Sequence, residues 1–242
     1  MKRVRECGSA GVREWTCVIG SVFVLASSAG AQVGHEPAKS PFVDVEQRHE
    51  LTFFGGYFSA KKDPARVAPQ SAPMGGLMYE WRASGPVNLG VSLLSIGSKR
   101  TELDPSKPVA TRDLGTKSEP LYAADAFLAV ALTGERSWHH LMPMVGVGLG
   151  LISNVKTADV GGFRFGTRFA FPWGAGVRWI PGNGRFAMRA DIMDWMYTIK
   201  YPQAYYTPAV AGEDPILASG TQPSRWTNNF AMTVGASFTF KR

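Results

Sequence analysis

Charged side chains recur at alternating positions inside segments that are otherwise apolar or small. Pairs two residues apart, such as Glu80 with Arg82 or Arg189 with Asp191, would lie on the same side of a β-strand. An ion removed from water is costly unless it is paired, so these residues predict a buried cluster of ion pairs. The predicted cluster consists of Glu80, Arg82, Asp125, Arg168, Arg178, Arg189 and Asp191.

The segments that carry these charges have the two-residue period of β-strands. In residues 163–179 the odd positions are mainly aromatic or aliphatic, and the even positions are Gly, Ala, Pro or Arg. One face of such a strand suits an apolar environment, whereas the other suits charge. Since about 9–11 tilted residues cross a bilayer, the segment is long enough to span one, with Phe163 and Phe165 at one interface and Trp179 at the other.

Eight strand-like segments follow residue 48, separated by joints that contain Gly or Pro. They are residues 49–59, 72–83, 87–98, 120–132, 140–154, 163–180, 185–200 and 227–240. Their connections alternate between long and short, which is typical of membrane barrels with short periplasmic turns and long extracellular loops. The sequence therefore predicts an all-β fold over residues 49–242, an eight-stranded antiparallel up-and-down transmembrane β-barrel.

The first 31 residues have the composition of a secretory signal peptide. Basic residues precede a short apolar core at 17–26, and Ala29-Gly30-Ala31 provides a small-residue cleavage site. Residues 32–48 are polar and aperiodic, and they predict a flexible periplasmic lead-in. Both cysteines, Cys7 and Cys17, lie in the leader, so the exported chain would contain no disulfide.

The charge balance is mildly positive. The 242 residues include 26 Lys and Arg and 19 Asp and Glu, for a formal net charge of +7. Because the excess forms no basic run, it argues against nucleic-acid binding and fits a weak attraction to anionic lipid headgroups. After residue 31 no stretch of 18 apolar residues occurs, so insertion into a membrane would use strands.

The last predicted strand alternates throughout and ends on an aromatic residue. Its apolar members are Phe230, Met232, Val234, Ala236, Phe238 and Phe240. Such a strand resembles the assembly signal of bacterial outer-membrane β-barrels, although Lys241 and Arg242 follow Phe240 here. The layout of residues 50–240 resembles the small eight-stranded barrels of the outer membrane protein A, X and W type.

This resemblance implies a location and a set of partners. The location is the outer membrane of a Gram-negative envelope, reached after export and removal of the signal peptide. The implied partners are outer-membrane lipid, lipopolysaccharide and, during insertion, the barrel assembly machinery.

The four histidines do not form a catalytic or metal-binding set. Lipid-modifying enzymes that resemble such barrels place a His with a Ser or a carboxylate near the outer-leaflet end. Here His35 lies in the lead-in, His49 begins the first strand, and His139 with His140 occupies a predicted periplasmic turn. Adjacent histidines on a strand would face opposite sides. We therefore predict no enzyme activity, no metal site and no cofactor.

The predicted role is structural or surface-interacting, with a lumen filled by the charge cluster. One alternative is a passive outer-membrane transporter or porin for small apolar compounds. Its apolar entrance would be lined by Phe54, Met78, Leu94, Ile96, Phe127 and Ile152. A second alternative is a soluble periplasmic lipocalin-like ligand-binding barrel, whose outer surface would be polar. The long connections at 99–119 and 201–226 would either bind a partner or remain hydrated tips.

Overall fold

The computed structural model describes residues 40–156, 158–181 and 185–240. The predicted signal peptide, residues 1–31, and the first part of the predicted lead-in lie outside the described residues. The strands are β1 (Phe42–Asp44), β2 (His49–Ser59), β3 (Ala72–Ser84), β4 (Val87–Ile96), β5 (Lys99–Leu103), β6 (Asp113–Ser118), β7 (Leu121–Ala131), β8 (Arg136–Trp138), β9 (Leu141–Asn154), β10 (Thr167–Trp179), β11 (Phe186–Lys200) and β12 (Ser224–Phe240). A single 3-10 turn, Gln203–Tyr206, lies between β11 and β12.

Eight long strands form a closed antiparallel wall, namely β2, β3, β4, β7, β9, β10, β11 and β12. The first joins the last, because β12 pairs with β2 from Phe230 opposite Ser59 to Phe240 opposite His49. The ring is completed where β7 pairs with β9. Each wall strand therefore has two neighbours and leaves no open sheet edge. The predicted eight-stranded barrel is confirmed.

The outward face of the wall is apolar, because alternate side chains of each strand point away from the lumen. Phe53, Leu93 and Val234 are 64%, 60% and 65% exposed. Aromatic residues stand near both ends of this belt, with Trp179 and Phe186 at one end and Tyr57, Tyr122 and Trp226 at the other. An apolar belt with aromatic ends suits a bilayer. It is the reverse of the polar outer surface that the lipocalin-like alternative requires.

The wall strand β10 begins at Thr167, so the predicted strand start at residue 163 is wrong. Gly166 has a φ of 66°, a conformation that favours glycine, and the residues before it leave the wall. Phe163 and Phe165, each 1% exposed, are buried instead of standing at a membrane interface. The ring of Phe165 packs edge-to-face on Tyr197 at 5.5 Å. The alternating apolar pattern extends to Phe163 and Phe165 because both rings pack into a second hydrophobic core outside the wall.

That second core belongs to a structure we call the cap, formed by the four long connections at one end of the barrel. These are residues 60–71, 97–120, 155–166 without 157, and 201–223. The connection at 97–120 contains the β5–β6 hairpin. Side chains from all four are buried together, including Val67, Leu103, Phe163, Tyr205 and Leu217. The long connections are therefore packed over the barrel mouth, and they are not separate hydrated tips.

The opposite end, with the short connections, is crossed by the end of the predicted lead-in. There β1 pairs with β8. The backbone amide of Val45 donates to Glu135 O at 3.0 Å, and the Val45 side chain packs against a buried apolar cluster of the lower lumen. The described part of the lead-in is thus fixed to the barrel. Among the described residues, no helix is long and apolar enough to span a membrane.

Candidate functional site in the lumen

Two arginines and three carboxylates meet inside the barrel, in the half nearest the short connections. The guanidinium of Arg178 places Nη2 at 2.5 Å from Glu80 Oε1 and Nε at 2.8 Å from Glu50 Oε2. Arg189 Nη1 lies 2.6 Å from the second oxygen of Glu80, and Arg189 Nε lies 2.8 Å from Asp191 Oδ2. Glu80 therefore bridges both arginines. We call these five residues the lumen network.

The strand register explains why these charges meet. Glu50 lies directly opposite Glu80 on β2 and β3, and Arg178 lies directly opposite Arg189 on β10 and β11. Each pair of like charges would repel within its own sheet segment. Curling the wall brings the carboxylate pair against the arginine pair, which neutralises both. With Glu80 at 2% and Arg178 at 4% exposure, the network is shielded from water.

A glycine makes room for one member of the network. Gly176 is paired with Asp191, and a Cβ built on Gly176 would lie 2.0 Å from Asp191 Oδ1. We expect Gly176→Ala to lower the free energy of unfolding by about 1–3 kcal/mol, because the carboxylate must leave Arg189 or the strand must shift. Urea unfolding in lipid vesicles measures this change. Gly55→Ala is the matched control, since its Cβ would meet only Met74 O at 3.9 Å. An equal loss in both variants would contradict the expectation.

Of the seven sequence-predicted residues, the structure brings together Glu80, Arg178, Arg189 and Asp191. The other three lie apart from the network. Arg82 donates from Nη1 to Val45 O at 2.5 Å at the short-connection end. Arg168 donates to Arg164 O at 3.3 Å near the cap. Asp125 accepts a hydrogen bond from Ser92 Oγ.

Glu50 was missed by the sequence analysis, although it is 4% exposed and contacts Arg178. The signal was present, since alternation places Glu50 and Thr52 on the face opposite Leu51 and Phe53.

A second buried charge cluster, also missed, lies inside the cap. Arg100, 4% exposed, places Nη1 at 2.7 Å from Asp159 Oδ2 and Nε at 3.4 Å from Glu119 Oε2. Its guanidinium carbon stands 5.2 Å from the centre of the Phe163 ring, a cation–π geometry. We call Arg100, Glu119 and Asp159 the cap cluster. It ties the connection at 97–120 to the connection at 155–166.

Two further carboxylates of the cap are held by donors from other parts of the chain. Glu102 contacts the Lys117 ammonium and accepts from the Val160 amide at 3.4 Å. The hydrogen bond from Lys117 is the main cause that lowers the pKa of Glu102 below its ordinary value. Asp63 accepts from the Val67 amide at 2.9 Å and from the Tyr201 hydroxyl. Burial, and then this hydrogen bond, raise the pKa of Tyr201.

The histidines within the described residues occupy structural positions. His49 Nδ1 lies 2.7 Å from the Tyr79 hydroxyl. His139 and His140 have positive φ angles of 48° and 65° in the turn before β9, and His140 Nδ1 lies 3.1 Å from Ile180 O. His35 lies outside the described residues. Among those that are described, no three His, Cys, Asp or Glu side chains are placed to hold a metal ion.

Between the lumen network and the cap lies a cavity of about 50 Å³, which we call the lumen cavity. Its wall includes Phe54, Met78, Leu94 and Phe127, four of the residues that the sequence suggested for an apolar entrance. Ile96 and Ile152 are instead buried in the core beneath the cap. The polar residues that line the cavity are Ser92, Asp125, Arg189, Asp191 and Thr233.

The closed strand pairing and the apolar belt decide the architecture. The chain is a closed eight-stranded antiparallel β-barrel with an apolar outer belt. No protein-family model and no curated protein matches it. Among solved structures, it is similar to the outer membrane protein Ail of Yersinia pestis in a phospholipid bilayer nanodisc, at 12% identity over 79% of this chain and 99% of that chain, with a TM-score of 0.36.

Two crystal structures of the same Yersinia pestis protein are also similar. The first has 10% identity, covers 80% of this chain and 100% of that chain, and has a TM-score of 0.35. The second, in complex with the heparin analogue sucrose octasulfate, has 14% identity, covers 79% and 99%, and has a TM-score of 0.35. The fold assignment for this chain depends on its own closed ring of strands.

Proposed function

We propose that this chain is an integral outer-membrane β-barrel protein with a side-chain-filled lumen and a structural, surface-interacting role, without catalysis. The cap end faces outward, and the short connections face the periplasm. The apolar belt supports the membrane location, because a closed barrel satisfies its backbone hydrogen bonds inside hydrocarbon. Insertion by the barrel assembly machinery, through the alternating strand β12, belongs to the same proposal.

The filled lumen supports a structural role. The lumen network occupies the periplasmic half, the cap packs over the outer mouth, and Val45 lies at the inner mouth. An eight-stranded barrel has an interior that side chains can fill. The lumen cavity is therefore closed on one side by the cap and on the other by the lumen network and Val45. Such a barrel would act as a rigid scaffold that holds the cap at the outer surface.

Charge is distributed unevenly between the inside and the outside of the cap. The carboxylates Glu102, Asp104 and Glu119 are 1%, 6% and 1% exposed, whereas the Lys107 and Lys117 side chains are 46% and 58% exposed. Other basic residues of the cap and its rim are also exposed, namely Lys61, Lys62, Arg66, Lys99, Lys156, Arg164, Lys200 and Arg225. Asp113 and Asp214 are exposed, but the other acids of the cap are buried or half-buried, so the outward surface carries mainly positive charge.

One sector of this surface lies where the wall meets the outer headgroup region, and it carries the proposed interaction. Lys200 and Arg225 lie at the upper ends of β11 and β12, where Arg225 pairs with Ile199. Lys61 follows β2, and its amide donates to Asn229 Oδ1 at 3.1 Å. The apolar ring of Trp226 is 54% exposed beside them. Cations above an apolar, aromatic-ended wall suit the phosphate groups of lipopolysaccharide.

We expect Lys61→Gln combined with Arg225→Gln to weaken binding of purified lipopolysaccharide by the barrel in nanodiscs. At about 1 kcal/mol per charge, the loss is roughly 30-fold at low ionic strength and shrinks as salt is added. The matched control is Arg136→Gln with Arg185→Gln, two exposed bases at the periplasmic end. Equal weakening in both double variants, or equal binding of dephosphorylated lipopolysaccharide, would contradict the proposal.

A second candidate function is passive transport of small apolar compounds. The observation that favours it is the lumen cavity, whose wall includes Phe54, Met78, Leu94 and Phe127. Stepwise conductance in planar bilayers, or uptake that is lost in Phe127→Arg, would support transport. A barrel filled as described gives neither result.

A further inference from the structure

Asp125 is a buried carboxylate without a cationic partner. It is 8% exposed and points into the lumen from β7. Its Oδ2 accepts a hydrogen bond from Ser92 Oγ. None of the ion pairs formed within the described part of the chain includes Asp125. A carboxylate in this position is costly unless a cation reaches it.

The guanidinium that shares the cavity with Asp125 is already engaged. Arg189 lines the same lumen cavity, but its Nη1 lies 2.6 Å from Glu80 and its Nε lies 2.8 Å from Asp191. Within the network, Arg189 therefore balances other carboxylates and leaves Asp125 uncompensated. No cation of the described chain compensates Asp125, so this group is neutralised either by a proton or by a cation from outside the chain.

The rest of the cavity wall has the chemistry of an organic-cation site. Three aromatic side chains, Phe54, Phe127 and Trp195, line it. Four thioethers line it as well, from Met74, Met78, Met144 and Met193. Aromatic faces attract cations, and methionine side chains adapt to irregular apolar shapes. At 10–15 Å³ per water, the 50 Å³ volume holds about three to five water molecules, which matches a ligand of about four heavy atoms.

We propose that the lumen cavity is a binding site for a small organic cation of the primary alkylammonium class. The ammonium group lies against Asp125 and Ser92, and the alkyl chain lies among the aromatic rings and thioethers. This site goes beyond the surface role proposed above, because it requires neither conduction nor lipopolysaccharide binding.

Propylammonium is a suitable probe, and the methionines supply the readout. The barrel is labelled with [13C-methyl]methionine, refolded in detergent with and without the probe, and observed by NMR. Because the cap covers the mouth, refolding with the probe present removes slow entry as a variable. We expect shifts at Met74, Met78, Met144 and Met193. Met188 and Met232, which are 55% and 61% exposed on the outer wall, are the internal controls and stay unchanged.

Two comparisons test the role of the charge. Asp125→Asn keeps the side-chain shape, and we expect it to weaken propylammonium binding at least about tenfold, since a charge-assisted hydrogen bond is lost. Asp113→Asn removes an exposed carboxylate of the cap and keeps wild-type affinity. Gel mobility before and after heating confirms that each variant is folded.

Three results would overturn the proposal. The first is equal shifts with neutral 1-propanol, which would make the cavity a purely apolar pocket. The second is unchanged affinity in Asp125→Asn. The third is a set of shifts confined to the outer-wall methionines, which would report partition of the probe into detergent. None of these results bears on lipopolysaccharide binding, so the two proposals fail separately.

Discussion

Glu80→Ala will destabilise the barrel by removing the bridge between the two arginines of the lumen network. Glu80 contacts Arg178 at 2.5 Å and Arg189 at 2.6 Å, so its removal leaves Arg178 with Glu50 and Arg189 with Asp191, and one N–H group of each guanidinium loses its acceptor. Each buried donor that is left without an acceptor costs about 1–3 kcal/mol, so we expect a total loss of roughly 2–6 kcal/mol. The measurement is the free energy of unfolding in urea, with the barrel folded in lipid vesicles.

Two further variants separate loss of charge from loss of packing. Glu135→Ala removes an exposed carboxylate at the periplasmic end and serves as the control, with an expected change below about 0.5 kcal/mol. Glu80→Gln keeps the side-chain shape and one carbonyl oxygen that can accept from a guanidinium, so we expect it to lose less stability than Glu80→Ala. An unchanged urea midpoint for Glu80→Ala would show that the network does not hold the barrel together.

Arg100→Met will open the cap while the wall stays folded. Arg100 is the shared cation of Glu119 and Asp159, and it stacks on Phe163. Methionine fills a similar volume but leaves both acids buried without a cation, at a cost of about 3–5 kcal/mol to the closed cap. Because 1.4 kcal/mol is a factor of ten in an equilibrium constant, the open fraction rises at least about 100-fold.

Chymotrypsin reports this opening, because the buried cap contains its target residues Phe163, Phe165, Tyr201 and Tyr205. Cleavage in this region should accelerate at least about 100-fold in Arg100→Met, whereas heat-modifiable gel mobility of the wall persists. Lys99→Met, at the exposed neighbouring position, should keep the wild-type cleavage rate. If Arg100→Met resists chymotrypsin as well as the wild type does, the cap cluster does not hold the loops closed.

The wall was predictable from the sequence because its signal is local. Alternation fixes which face of a strand meets lipid, so the bounds of β2 and the outward direction of Trp173 and Val234 follow from neighbouring residues alone. The same rule failed at Phe163 and Phe165, where a loop with the period of a strand packs into the cap. The period of a segment does not show whether its apolar face contacts lipid hydrocarbon or the core of a folded loop.

The charge partners were less predictable because they depend on contacts between distant strands. Asp125 and Asp191 both alternate inward, yet only Asp191 meets an arginine. Arg100 and Asp159 belong to connections without periodicity, and their meeting depends on how two loops fold over one mouth. The alternating pattern predicted which charged residues of the wall face inward. The contacts between distant strands and loops decide which charged residues form ion pairs.

The seam where β2 meets β12 has a consequence for how the barrel assembles. Glu50 and Glu80 stand on one side of that seam, and Arg178 and Arg189 stand on the other. An unjoined sheet keeps two repelling acids at one margin, whereas the two arginines near the opposite margin share only Asp191. The attraction between these acids and arginines forms only when the two margins meet. Closure of the ring is therefore stabilised by ion pairs that a partly built sheet lacks.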